Sequence, residues 1–262
     1  MNKAQWKVFS NFKEQFKEMV NLWTDNNPEL IDILKQVVAV SKSPAYPIET
    51  PVVYNKALDD ISENDNIKII VIGDNPGKDE QFIKNNKYLV GQAGKIAEGY
   101  FRRNPELGID FRKNVIILNK TPVHSGKTAL LKYVAKIGGE KISKLIEESQ
   151  LWMAEKTVKL HCDLYNSADV ESGDFLPELW LVGYSELKEK GIFSKYRECL
   201  KKSYFSISED VWNKVFVFQH FSMNRFSIDL SKYISNNSER EKLTLIENIH
   251  QLGRLHKKEI FK

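Results

Sequence analysis

IKIIVIGDNPGKDE, residues 67–80, holds a run of apolar, largely β-branched residues that stops abruptly in a polar turn containing proline and glycine. An apolar run without polar alternation fits a strand covered on both faces, as in a parallel sheet flanked by helices. Three further stretches repeat the pattern: NVIILNK at 114–120, ELWLVGYS at 178–185 and KVFVFQH at 214–220. Segments of helical spacing separate them, at 93–103, 128–137, 141–165 and 193–205. Alternating strands and helices predict a three-layer α/β/α domain around a central four-stranded parallel sheet.

Working outward, Trp6, Phe9, Phe12, Phe16, Met19 and Val20 recur at three- and four-residue steps. The first 45 or so residues are therefore expected to be helical, with a break at Asn26, Asn27 and Pro28, forming an amphipathic lid or support. Three prolines in SKSPAYPIETP, residues 41–51, require a loop or extended connection. A closing helix is expected over 239–257. With no repeat, low-complexity tract or linker, residues 1–262 read as one domain: a helical N-terminal addition over 1–60, a core over 67–228 and the closing helix.

Composition bounds the function without choosing it. A chain of 262 residues, 42% hydrophobic and 28% charged, can bury a sizeable core and is not disordered in bulk. Its net charge of +4 permits a polyanionic partner. Cys162 and Cys199 are too few for a disulfide framework, a four-cysteine zinc site or a four-cysteine iron–sulfur cluster unaided by other ligands, and suit a reducing compartment. No run approaches membrane-spanning length and the N-terminus lacks a leader pattern. A cytoplasmic monomer without metal or cofactor is expected.

In a parallel α/β sheet, ligands collect beyond the carboxyl ends of the strands. Those ends carry Asp74-Asn75-Pro76-Gly77-Lys78, Asn119-Lys120 and His220-Phe221-Ser222-Met223-Asn224-Arg225. Ser125-Gly126-Lys127-Thr128 is similar to the second half of a phosphate-binding loop, although Thr121 stands where that pattern needs glycine and Pro122 removes a backbone donor. A nucleotide-processing enzyme is accordingly one alternative reading.

Gly73-Asp74-Asn75-Pro76-Gly77 resembles the water-activating loop of the uracil-DNA glycosylase superfamily, in the Gly-x-Asn-Pro-Gly form of its mismatch-specific and single-strand-selective branches. Glu80 and Tyr88-Leu89-Val90-Gly91-Gln92-Ala93-Gly94 are similar to motifs of its thermostable, iron–sulfur branch. Asn119 falls where the superfamily's base-reading asparagine ends the second strand, and His220-Phe221-Ser222 resembles its His-Pro-Ser. The resemblance spans 67 to about 228. It implies a base-excision-repair glycosylase that hydrolyses the N-glycosidic bond of uracil or a related damaged base in single- or double-stranded DNA. It further implies catalysis by Asn75 and His220 and base binding by Asp74, Gly77, Tyr88, Leu89 and Asn119. Lys78, Lys120, Ser222, Met223, Asn224 and Arg225 would meet DNA. Three departures stand out. Leu89 replaces a stacking phenylalanine, which moves the aromatic platform to Tyr88, Phe82 or Phe101; the cluster cysteines are absent; and Phe221 replaces proline. These sustain a second alternative, a protein that keeps the fold and DNA groove with altered or lost chemistry.

The residue types make chemical sense on their own. Glycosidic cleavage passes through an oxocarbenium-like state with a departing base anion, so much of the work is electrostatic placement. The side-chain carbonyl of Asn75 can hold a water and aim it at the sugar carbon. A neutral His220 can donate to the base as negative charge gathers on it. Asn119 offers a donor and an acceptor to the edge of a uracil-like ring. No lysine occupies the water-activating position, which implies monofunctional chemistry, although Lys78 is close enough for a lyase side activity.

Overall fold

The apolar runs become strands because their residues have no solvated face to present: β1 (Ile69–Gly73), β2 (Val115–Asn119), β3 (Glu178–Val182) and β4 (Val215–Phe218) are buried at every position but Glu178. This is a computed structural model, and it describes residues 1–41 and 44–262. Positions 42 and 43 of the proline-containing connection lie outside the described residues. The strands pair in parallel in the order β2-β1-β3-β4, the sheet expected from the sequence. The chain runs from β1 to one side and then crosses to the other, so a crevice opens at the carboxyl edge between β1 and β3.

Helices cover both faces. The N-terminal helices α1 (Lys3–Asp25) and α2 (Leu30–Val40) both pack on α4 (Leu131–Asn166). They brace that helix and are not a lid. The second helix ends at Val40, near the expected limit of about 45, residues 44–51 form the expected irregular connection to an isolated bridge between Val52 and Val123, and a 3-10 turn follows over Lys56–Asp60. The Gln92–Arg103 segment forms α3. The two helices expected across 128–165 run together as α4 with a break at Gly139, whose φ of +66° is the left-handed region that glycine enters without penalty.

Beyond α5 (Ser194–Ile207) and α6 (Glu209–Trp212), the sequence reading missed α7 (Arg225–Ser235). A short α8 (Ser238–Glu241) follows, and the closing helix α9 (Leu245–Ile260) begins later than expected because Thr244 and Glu247 form a capping box there. Helix α9 seals β4; a Cβ on Gly253 would lie 2.7 Å from the Phe218 ring, so glycine is what permits that approach. No helix among the described residues is long and apolar enough to cross a membrane.

Candidate functional site

Ends of all four strands meet at one open cavity of about 800 Å³. Asn75, Asn119 and His220 all line it, as expected from the sequence, together with Asp74, Gly77 and Leu89.

Asn75 is held from behind. Its Nδ2 donates to the Ser125 hydroxyl at 3.0 Å and to the Ser125 carbonyl at 3.2 Å, which settles the amide orientation. No donor among the described residues reaches its Oδ1. The adjoining Pro76 carbonyl accepts from Nδ1 of the buried His124 at 2.8 Å, so that ring carries its proton on Nδ1 and receives the Tyr46 hydroxyl at Nε2, 3.1 Å away. Burial pushes His124 down to about 4, keeping it neutral.

The other flank of the loop is fixed by Glu80, whose two oxygens accept from Gly77 N–H at 3.1 Å and Leu89 N–H at 2.9 Å. Burial pushes this carboxyl up to about 7 despite both bonds. Between the unfolded carboxyl range and pH 7 the folded state then binds more protons than the unfolded one, so stability should fall as pH rises through that window. Urea melts at pH 5 and 7.5 test this; the slope should flatten in Glu80→Gln, and an unchanged slope would assign it elsewhere.

His220 accepts the Ser222 N–H at Nδ1, 3.0 Å away, with the Ser222 hydroxyl 2.9 Å from the same atom. An acceptor Nδ1 means that the neutral ring carries its proton on Nε2, where no protein acceptor lies within reach among the described residues. Burial holds His220 below its ordinary value; Asp74 opposes this, while Lys120 and Arg225 reinforce it. Ser222, expected to meet DNA, lines the cavity and braces His220.

Asn119 is 2% exposed, and its buried Nδ2 has no hydrogen-bond partner among the described residues. Such a donor costs about 1–3 kcal/mol, which a site tolerates when a ligand supplies the missing acceptor. Gly73 stands opposite, where a Cβ would come within 2.4 Å of the Asn119 Oδ1. Asn119→Leu should therefore fold with undiminished stability, since the orphan donor is gone, while losing recognition of the ligand. A loss above about 1 kcal/mol in urea melts would make Asn119 a structural residue.

Two expected contacts are corrected. Lys120 does not reach the cavity rim: it is fully buried, with Nζ 2.6 Å from Asp74 Oδ1, 2.6 Å from the Val182 carbonyl and 3.2 Å from the Gly73 carbonyl. Two strand ends, those of β1 and β3, supply acceptors that outweigh the exposed position a lysine usually takes. Asp74 is thus engaged in an ion pair, with Thr128 donating to its other oxygen at 3.3 Å. Tyr88 does not face the base site either; it is buried, its N–H on Asn55 and its hydroxyl on the Val53 carbonyl at 2.6 Å. The left-handed φ of +50° at Leu89 turns the chain there. Phe101 stacks on Phe111 in the core and Phe82 lies under Lys84, so neither supplies a platform. Apart from the His220 imidazole, no aromatic ring lines the cavity among the described residues.

On the rim, Lys78, Met223, Asn224 and Arg225 are exposed. Met223 and Asn224 have successive φ values of +54° and +55°, a left-handed pair of non-glycine residues costing about 1–2 kcal/mol each. Phe221, buried against Phe226, anchors this tip from below. Nothing in the sequence singled out His124 as a support, and Ser125 and Thr128, which entered only through the alternative phosphate-loop reading, have hydroxyls that serve Asn75 and Asp74. No local motif marks that role, because the partners come from a different strand end. Compared with family models, curated proteins and solved structures, the chain matches none.

Proposed function

We propose that this chain is a monofunctional DNA glycosylase hydrolysing the N-glycosidic bond of uracil or a related damaged base. The observation that carries the reading is the buried, unpartnered Nδ2 of Asn119, flanked in one cavity by Asn75 and His220. The motif resemblance to the uracil-DNA glycosylase superfamily adds to it. Asn119 reads the edge of the flipped base; Asn75 Oδ1 accepts a hydrogen bond from water and aims its oxygen at the sugar carbon. As the glycosidic bond opens, the base leaves with the electron pair and His220 Nε2–H stabilises the anion. Water oxygen then bonds to the sugar carbon and its proton passes to solvent. Lys78 and Arg225 suit phosphate contacts, and the exposed Met223 suits the space a flipped base vacates.

A binding-only protein of the same fold is the second reading, favoured by the lack of an aromatic wall. Labelled oligonucleotides carrying uracil, hypoxanthine or xanthine, incubated with chelator and then treated with alkali, separate the two. Strand breaks at one or more of these bases are expected. Their absence at stoichiometric protein would overturn the glycosylase reading, and damage-dependent binding without breaks would establish the second.

A further inference from the structure

We propose a second ligand site, remote from the first cavity, in which a phosphate-bearing anion binds between Arg254, Lys257 and Lys258 of α9 and the Trp212-Asn213 turn. A separate cavity of about 480 Å³ is lined by these five residues and Phe261. It lies beside the entry to β4, whereas His220 follows that strand's exit.

Three cations line this space and no carboxylate does. Glu178 pairs with His250 at 2.7 Å, Asp229 faces His256 at 3.5 Å, and Glu259 accepts the Tyr184 hydroxyl at 2.7 Å, while the exposed Glu209 and Asp210 of α6 do not line the cavity. No ion pair involves Arg254, Lys257 or Lys258 among the described residues. Lys257 is half-buried, donates to the Trp212 carbonyl and sits 4.0 Å from the centre of the Trp212 ring. Burial, with repulsion from Arg254, pushes its ammonium down to about 7. A desolvated cation beside a guanidinium with no counter-charge is an arrangement that an arriving anion stabilises. Arg254 supplies a planar fork matched to phosphate oxygens, Lys257 and Lys258 supply point charges, and the exposed Asn213 amide supplies a further donor. The space exceeds that of a bare phosphate, which points to an organic phosphate of nucleotide size, either free or at the end of a nucleic-acid strand.

Calorimetric titration of the whole chain with inorganic phosphate, adenosine 5′-monophosphate, and one oligonucleotide with and without a 5′-phosphate tests the site and its ligand source. Binding of the mononucleotide or of the 5′-phosphorylated strand is expected, at least tenfold weaker in Arg254→Gln/Lys257→Met. Lys144→Ala, on an exposed face of α4 away from both cavities, should leave it unchanged. Preference for the mononucleotide identifies a free ligand, and preference for the phosphorylated strand identifies a strand end. No heat with any probe, or binding that the double variant leaves undiminished, overturns the proposal. Arg254 is exposed, so Arg254→Gln alone serves if the double variant fails to fold. The result is independent of base excision.

Discussion

Asn75→Ala should lower single-turnover excision by about two to three orders of magnitude while changing affinity for a damaged oligonucleotide less than about threefold. The asymmetry follows from how the side chain is held. Nδ2 is committed to Ser125, so Oδ1 has one orientation available without breaking a hydrogen bond, and a water on it enters the reaction already aimed. Truncation removes that placement and little contact area, so the loss falls on the rate. Ser125→Ala should produce a smaller fall of about tenfold, because the Ser125 carbonyl still holds the amide. Equal losses in binding and rate for Asn75→Ala would contradict a role in the transition state and make it a binding residue.

What the sequence made legible follows from which residues act through local physics. Ile69 to Ile72 and Val115 to Leu118 have no polar alternation, so burial on both faces was readable before any partner was known. Asn75, Asn119 and His220 were readable because each stands where an apolar run ends and ligands collect. Lys120 was misread through the same rule. Its neighbour Asn119 faces the cavity, yet Lys120 is drawn beneath it by an aspartate and two carbonyls from other strand ends, and no window around 120 contains them. Tyr88 failed differently: a left-handed Leu89 re-aims the chain, a conformation that the residue type itself disfavours. Helix α7 was hidden because Met223 and Asn224 enter it left-handed and no side chain caps its first turn, so the usual start signal is missing.

The largest effect on stability should come from separating Asp74 and Lys120. Asp74→Asn leaves the fully buried ammonium facing only neutral oxygens, and removing one partner of a buried pair typically costs about 3–5 kcal/mol. Lys120→Met should cost less, because Asp74 retains 12% side-chain exposure and the Thr128 hydroxyl, so its carboxylate can recover some hydration. Two carbonyls, of Gly73 and Val182, still lose a donor in that variant, which keeps the change unfavourable. The double variant should be more stable than the sum of the single losses implies, since no uncompensated charge remains. A pH series adds a sign. Burial lowers the folded-state pKa of Lys120, and Asp74 is the main influence raising it. Without Asp74 the folded state sheds this proton more readily than the unfolded one, so Asp74→Asn should gain stability as pH rises from neutrality toward the ordinary lysine range, more steeply than the parent. Urea melts of the four proteins across that range decide the matter. Additive losses within about 0.5 kcal/mol, with parallel pH slopes, would mean that the two groups are not energetically coupled, and the ion pair would then be no more than a contact of the sheet edge.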